Sequence, residues 1–129
     1  MATRSTVGFR LPDGTVSATY CHYDGTPETM VPSIESFIRY EGVETFIKTV
    51  REAQKGGGIR DFGSSLEDTE VFDDGDAAEP WVTTRKDILL GHYQEYCYIV
   101  DSKTGNLVEY YDHDGKQTLS ALDERLGRS

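Results

Sequence analysis

Apolar and polar residues alternate near the start of this chain and again in its last third, and recur at helical spacing in between. Thr3 to Leu11 and Thr15 to Cys21 read as strands of an N-terminal hairpin, residues 3–21, joined through Pro12-Asp13-Gly14. Proline presets its own φ in such a turn and glycine accepts a positive one. Val7 and Phe9 supply the apolar face of the first strand. In the second, Val16, Ala18, Tyr20 and His22 share one face, and Thr15, Ser17, Thr19 and Cys21 share the other, because strand side chains alternate. This pattern predicts a half-buried antiparallel pair. A loop from His22 to Met30 leads into a helical segment, residues 33–55. Pro32 and Ser33 are its start signals, and Ile34, Phe37 and Ile38 form its first stripe. Val43, Phe46, Ile47 and Val50 repeat the spacing out of phase, so a break is expected at Glu41-Gly42. Gly56-Gly57-Gly58 ends the second helix.

Residues 61–79 are acidic and irregular, with Val71-Phe72 a short strand and Asp74-Gly75 a turn. Trp81-Val82-Thr83 reads as an edge strand, and Thr84 as the cap of a short helix over Arg85 to Leu90. A C-terminal hairpin, residues 95–111, pairs Glu95 to Val100 with Leu107 to Tyr111, both rich in aromatic and β-branched residues. Leu119, Leu122 and Leu126 mark a last helix, residues 118–126. Together these elements predict a single α+β domain spanning 1–129. Its antiparallel sheet has four to five strands from the two hairpins, with short helices packed on one face.

The 129 residues suffice for one compact core without disulfides or a metal. Lys and Arg number 13 against 23 Asp and Glu, a formal net charge of -10. That balance argues against broad contact with a phosphate backbone or an anionic membrane surface, since both rest on Lys and Arg. No apolar run approaches the roughly 18 residues of a membrane span, and MATRSTVGFR has no signal-peptide core, so a cytoplasmic location is expected. Cys21 and Cys97 are few, distant and set among apolar or aromatic neighbours, which predicts two free thiols.

Several constellations invite a chemical reading. Cys21-His22-Tyr23-Asp24 juxtaposes a thiol, an imidazole and a carboxylate, yet adjacent residues of a regular strand point to opposite faces. His92 or His113 would have to supply the base, and no catalytic residue is assigned. Asp112-His113-Asp114-Gly115 and Asp73-Asp74-Gly75-Asp76 evoke calcium loops. With Gly115 at the sixth position, the first and twelfth become Tyr110 and Ala121; with Gly75 there, they become Glu70 and Trp81. Neither meets the requirement, so turns are expected, with no metal and no cofactor. Tyr93, Tyr96, Tyr98, Tyr110 and Tyr111 divide between core packing and a contact face. Between Arg60 and Arg85 no Lys or Arg interrupts eight acids: Asp61, Glu67, Asp68, Glu70, Asp73, Asp74, Asp76 and Glu79. Carboxylates spaced over a surface can mimic phosphates in the groove of a nucleic-acid-binding protein.

The stretch Tyr20-Cys21-His22-Tyr23-Asp24-Gly25-Thr26-Pro27 follows Arg4-Ser5-Thr6-Val7-Gly8-Phe9 and precedes a late Gln94-Glu95-Tyr96-Cys97-Tyr98. This layout resembles a family of small acidic proteins of tailed bacteriophages with a Y-C-H-W-D-G-Y-P core. Here Tyr23 stands for the usual Trp and Thr26 for the usual Tyr. The resemblance implies a phage accessory protein made in the host bacterial cytoplasm and directed at host machinery or immunity.

Combined with the charge, it gives a non-enzymatic inhibitor of a bacterial host or defence protein, with anti-CRISPR or other anti-defence activity in view. Asp68, Glu70, Asp73, Asp74 and Asp76 are its expected electrostatic contacts and exposed tyrosines its anchors. Tyr20, His22, Tyr23 and Asp24 form a second candidate binding loop. The alternative is a small-molecule binder, a sponge for a nucleotide signal, holding its anion with Arg39, Lys48, Arg51, Lys55 and Arg60. Edge strands also leave room for a homodimer.

Overall fold

The computed structural model describes residues 3–72 and 95–128. Chain order is β1 (Ser5–Arg10), β2 (Val16–Cys21), α1 (Pro27–Glu41), α2 (Val43–Gly56), β3 (Ile59–Asp61), β4 (Glu70–Val71), β5 (Tyr96–Asp101), β6 (Leu107–Asp112), β7 (Gly115–Gln117) and α3 (Leu119–Arg125). The expected edge strand at Trp81-Val82-Thr83 and helix over Arg85 to Leu90 lie outside the described residues.

The α+β class holds, but the sheet is neither purely antiparallel nor limited to four or five strands. It has seven strands in the order β4-β3-β2-β1-β5-β6-β7. β1 pairs antiparallel with β2, Val7 opposite Thr19, and parallel with β5, Val7 opposite Tyr98. β2 pairs parallel with β3 through Cys21 and Ile59. A parallel neighbour needs a crossover connection, and the α1–α2 pair supplies it between β2 and β3. Three short strands extend the edges: β3 with β4 on one side, and β7 beyond β6 on the other.

The local signals explain the hairpins. Asp13 Oδ1 accepts hydrogen bonds from the Thr15 amide at 2.9 Å and the Thr15 hydroxyl at 2.7 Å, and Gly14 takes φ 90°. The helical segment begins earlier than expected. Thr26 and Pro27 open α1, so Pro32 lies inside the helix and not at its start. Proline removes one helical N–H there. Burial of Met30 and Val31 on either side of the first turns offsets that loss. The break at Gly42 is real, with φ 90°, and Gly57 closes α2 in the left-handed region while donating to Ala53 O at 2.9 Å. Thr118 caps α3 by accepting from the Ala121 amide at 3.0 Å.

The described helices share one core cluster on a single face of the sheet. Val7, Phe9, Tyr98, Val100 and Tyr110 meet Met30, Ile34, Phe37, Phe46, Val50 and Leu122 there. On the opposite face Val16, Ala18, Cys97, Ile99 and Tyr111 form a second, smaller cluster. The first hairpin is therefore buried on both faces, not half buried. β2 turns Ser17, Thr19 and Cys21 towards the helices because the register sets them opposite Phe9, Val7 and Ser5 of β1. Among the described residues no helix is long and apolar enough to cross a membrane.

Candidate functional site: the acidic edge beside the β2 loop

β2 does not stop pairing at Cys21. The His22 amide donates to Ile59 O at 2.9 Å and the Tyr23 amide to Arg60 O at 3.2 Å, so the loop is laid along β3. Period-two alternation keeps Tyr20 and His22 on one side, and Tyr20 Oη and His22 Nδ1 share a hydrogen bond. The His22 ring meets Tyr23 edge-on at 4.5 Å between centroids and Phe72 at 6.1 Å. Arg60 lies over Phe72, 4.8 Å from its centroid, and its Nε is 3.5 Å from Glu70. Asp24 takes φ 57°, a conformation Asp tolerates better than most residues. Gly25 follows with its amide bonded to Thr3 O at 3.0 Å, and its carbonyl accepts from the buried Tyr98 hydroxyl at 2.6 Å. A Cβ at Gly25 would stand 2.6 Å from Thr3 O, so only glycine fits that approach.

The structure brings Tyr20, His22 and Tyr23 together as partners of one another, while Asp24 continues the loop and faces the field of Asp61. Tyr20 is buried and Tyr23 half exposed. Cys21 faces the helices with its Sγ 3.7 Å from Tyr23 O, and burial pushes its thiol up to about 12. Cys97, on the opposite face, is likewise raised by burial. Both are free thiols, as expected. A thiolate is the nucleophile in cysteine catalysis, and burial disfavours that form at both positions. His113 sits in the β6–β7 turn beside Asp114, not near Cys21; His92 lies outside the described residues.

Asp112, His113 and Asp114 place one ligand atom each within 4.8 Å of one another and could hold a metal ion. Their hydrogen bonds are those of a turn: the Asp114 amide donates to Asp112 Oδ1 at 2.8 Å and Gln117 Nε2 to the same oxygen at 3.3 Å.

The acids converge more clearly. Burial, Asp24 and Glu70, in that order of weight, hold the Asp61 carboxyl above the usual range. Three carboxylates at the ends of β2, β3 and β4 thus share one field, answered by Arg60 against Glu70. The loop between β3 and β4 extends this edge. Ser65 and Asp68 bond reciprocally, hydroxyl to carboxylate at 3.1 Å and amide to hydroxyl at 3.3 Å. The Leu66 amide donates to Glu41 Oε2 at 2.8 Å, which ties the loop to the end of α1.

Of the expected electrostatic contacts, Asp68 and Glu70 are exposed at this edge, whereas Asp73, Asp74 and Asp76 lie outside the described residues. Of the tyrosines expected to divide between core and contact face, Tyr98, Tyr110 and Tyr111 are buried in the sheet. The exposed large apolar side chains near this edge are Tyr40 (75%), Leu66 (49%) and Tyr23 (42%). Tyr40 was legible, since it falls off the Ile34-Phe37-Ile38 stripe; Glu41 joins through a backbone amide that no pattern announces.

The five basic residues do not form one pocket. Arg60 is engaged with Glu70 and Phe72, and Arg39 lines a separate groove with Glu35 and Arg128. Lys48, Arg51 and Lys55 remain along one side of α2, at the three- and four-residue spacing that makes helical neighbours.

The field at Asp61 has a measurable consequence. A carboxyl whose folded pKa is raised destabilises the fold when ionised, and the penalty fades as pH falls and it protonates. Asp61→Asn is expected to raise the urea midpoint at pH 7. That gain should close as pH drops below about 4, where ordinary carboxyls protonate. A midpoint unchanged at pH 7 would mean that neither burial nor the neighbouring carboxylates penalise the ionised Asp61.

No protein-family model matches this chain, and neither a curated protein nor a solved structure matches it significantly.

Proposed function

We propose that this chain is a bacteriophage accessory protein that binds a basic bacterial protein, of the host or its defences, and inhibits it by occupying the surface that protein offers to nucleic acid. The observation that carries this reading is the shared field of Asp24, Asp61 and Glu70, continued by Glu67, Asp68 and Glu41 around an exposed loop. Like charges that share a field repel one another, and a cationic partner relieves that repulsion on binding. The same complementarity speeds encounter and makes affinity fall with salt. Tyr40, Leu66 and Tyr23 supply the apolar and aromatic contacts that charge alone lacks; such anchors carry most of the energy in protein interfaces. The phage origin and the inhibitory outcome rest on the likeness of the Tyr20–Pro27 segment to the phage proteins named above.

The test is a triple reversal, Glu67→Lys, Asp68→Lys and Glu70→Lys, on side chains exposed enough to leave the core intact. The parent protein should retain a host protein at fixed stoichiometry in native mass spectrometry after gentle capture from lysate. Against that purified partner, the triple variant should bind at least tenfold more weakly, with a flatter dependence of log Kd on log salt. Equal affinity and equal slope would sink the acidic-face reading.

A further inference from the structure

A groove of about 540 Å³ opens between the β1–β2 hairpin and the last turns of α2, lined by Leu11, Ser17, Arg51, Gln54 and Lys55. Three other grooves on the described surface each include a carboxylate: Glu35 at the α1–β6 groove, Asp101 at the hairpin turns and Glu95 beside Tyr96. This one has none among its lining residues. Among the described residues, neither Arg51 nor Lys55 forms an ion pair. On a chain of net charge -10, two adjacent unanswered cations in a concave site are a departure from the surroundings.

The wall of the groove is organised. The Arg51 guanidinium rests over the Phe9 ring, 5.4 Å from its centroid, and Phe9 is fully buried in the core. Gln54 Nε2 donates to Ser17 Oγ at 2.7 Å and to Ala18 O at 3.0 Å. Those two bonds use both hydrogens of the Gln54 amide. Ser17 Oγ is thereby the acceptor towards Gln54, and its own hydrogen is free to donate elsewhere. Arginine offers a planar fork of donors suited to an oxyanion, and lysine a compact charge. Leu11 and the lysine stem give an apolar flank.

We propose that this groove binds the phosphoryl group of a small phosphorylated molecule, with Arg51 and Lys55 opposing its two negative charges and the Ser17 hydroxyl donating to a third oxygen. Lys48, one turn earlier on α2, lies on the same side of the helix and adds to the local potential. The overall acidity of the protein does not veto such a site. At about 0.15 M salt the Debye length is roughly 8 Å, so carboxylates at the acidic edge are screened while contact partners are not. The site is independent of the acidic-face reading, and either can fail alone.

The ¹⁵N-labelled full chain is titrated at constant ionic strength with inorganic phosphate and, separately, with adenosine 5′-monophosphate, each to about 10 mM, tenfold above a 1 mM Kd. The expected result is saturable amide shifts confined to Leu11, Ser17, Arg51, Gln54 and Lys55. In Arg51→Ala/Lys55→Ala, two exposed positions, binding should weaken at least tenfold. Saturation by phosphate alone would make the free anion the ligand. Saturation by both would assign recognition to the phosphoryl group, and tighter binding of the monophosphate would place the organic part against Leu11. No saturable shift with either probe overturns the proposal. So do shifts spread equally over Arg10, Lys103 and Lys116, or an affinity that the double variant leaves unchanged.

Discussion

Phe37→Ala is expected to lower stability by about 3–5 kcal/mol, the range for removing a fully buried aromatic ring. Phe37 is completely buried in α1. Its ring centroid lies 6.2 Å from that of Phe46 in α2 and 5.1 Å from that of Phe62, just after β3. Phe46 and Phe62 complete the triangle at 6.1 Å. These three rings join both crossover helices to the strand they deliver to the sheet. The void left by alanine therefore opens between elements that cannot close on it without giving up their own contacts. Equilibrium urea unfolding measures the loss. Phe37→Leu should recover more than half of it, since most of the volume returns. Tyr40→Ala, three residues on but 75% exposed, should change stability by no more than about 0.5 kcal/mol. A cost below about 1 kcal/mol for Phe37→Ala would mean that the triangle does not hold the crossover.

Elements whose cause is local could be read from the residues, and those whose cause lies far along the chain could not. The Pro12-Asp13-Gly14 turn, the break at Gly42 and the stop at Gly57 each depend on a few neighbours, and each is present. The parallel pairing of β1 with β5 joins Val7 to Tyr98, and no periodicity in either strand announces a partner so remote. β3 and β7 span three residues each, too short for alternation to register, whereas β4 at Glu70–Val71 overlaps the short strand expected at Val71-Phe72. The brevity of β3 and β7 is why the sheet was undercounted. Pro32 looked like a helix start because proline belongs in first turns; burial of Met30 and Val31 overrode that preference.

The candidate site was legible in the same uneven way. A run of acids is visible as composition, so Asp68 and Glu70 could be named. That Asp24, from the β2 loop, joins Asp61 and Glu70 depends on the β2–β3 pairing. The basic residues failed as a group for the converse reason. Five charges along one stretch looked like a cluster, yet Arg60 sits past the end of α2 and is taken up by Glu70 and Phe72. The two that share a groove, Arg51 and Lys55, do so with Ser17, which β2 turns towards the helices, and with Gln54 of α2, which bonds to Ser17 and Ala18.

Gly8→Ala opposes two effects of known sign, and their sizes decide the outcome. Glycine inside a strand costs roughly 0.5–1 kcal/mol relative to alanine through backbone entropy, so propensity alone predicts stabilisation. Gly8, however, lies in the central strand, opposite Ala18 of β2 and beside Ile99 of β5. A Cβ there would stand 2.3 Å from Ser17 O, 2.4 Å from Ala18 Cβ and 2.6 Å from Ala18 Cα. None of these atoms is the end of a flexible side chain, so the added methyl can be accommodated only by moving the β2 backbone. Overpacking of this kind costs about 1–3 kcal/mol, occasionally more. β2 is also held from its other edge by β3, which places the overpacking cost near the top of that range and leaves an expected net loss of about 2 kcal/mol after the propensity gain. Adding Ala18→Gly removes the 2.4 Å contact but leaves Ser17 O at 2.3 Å, so the double variant should recover only part of the loss in urea unfolding. Full recovery would place the whole conflict between the two methyl groups. A stabilised Gly8→Ala would mean that the strands do not approach this closely and that glycine is present for reasons other than fit.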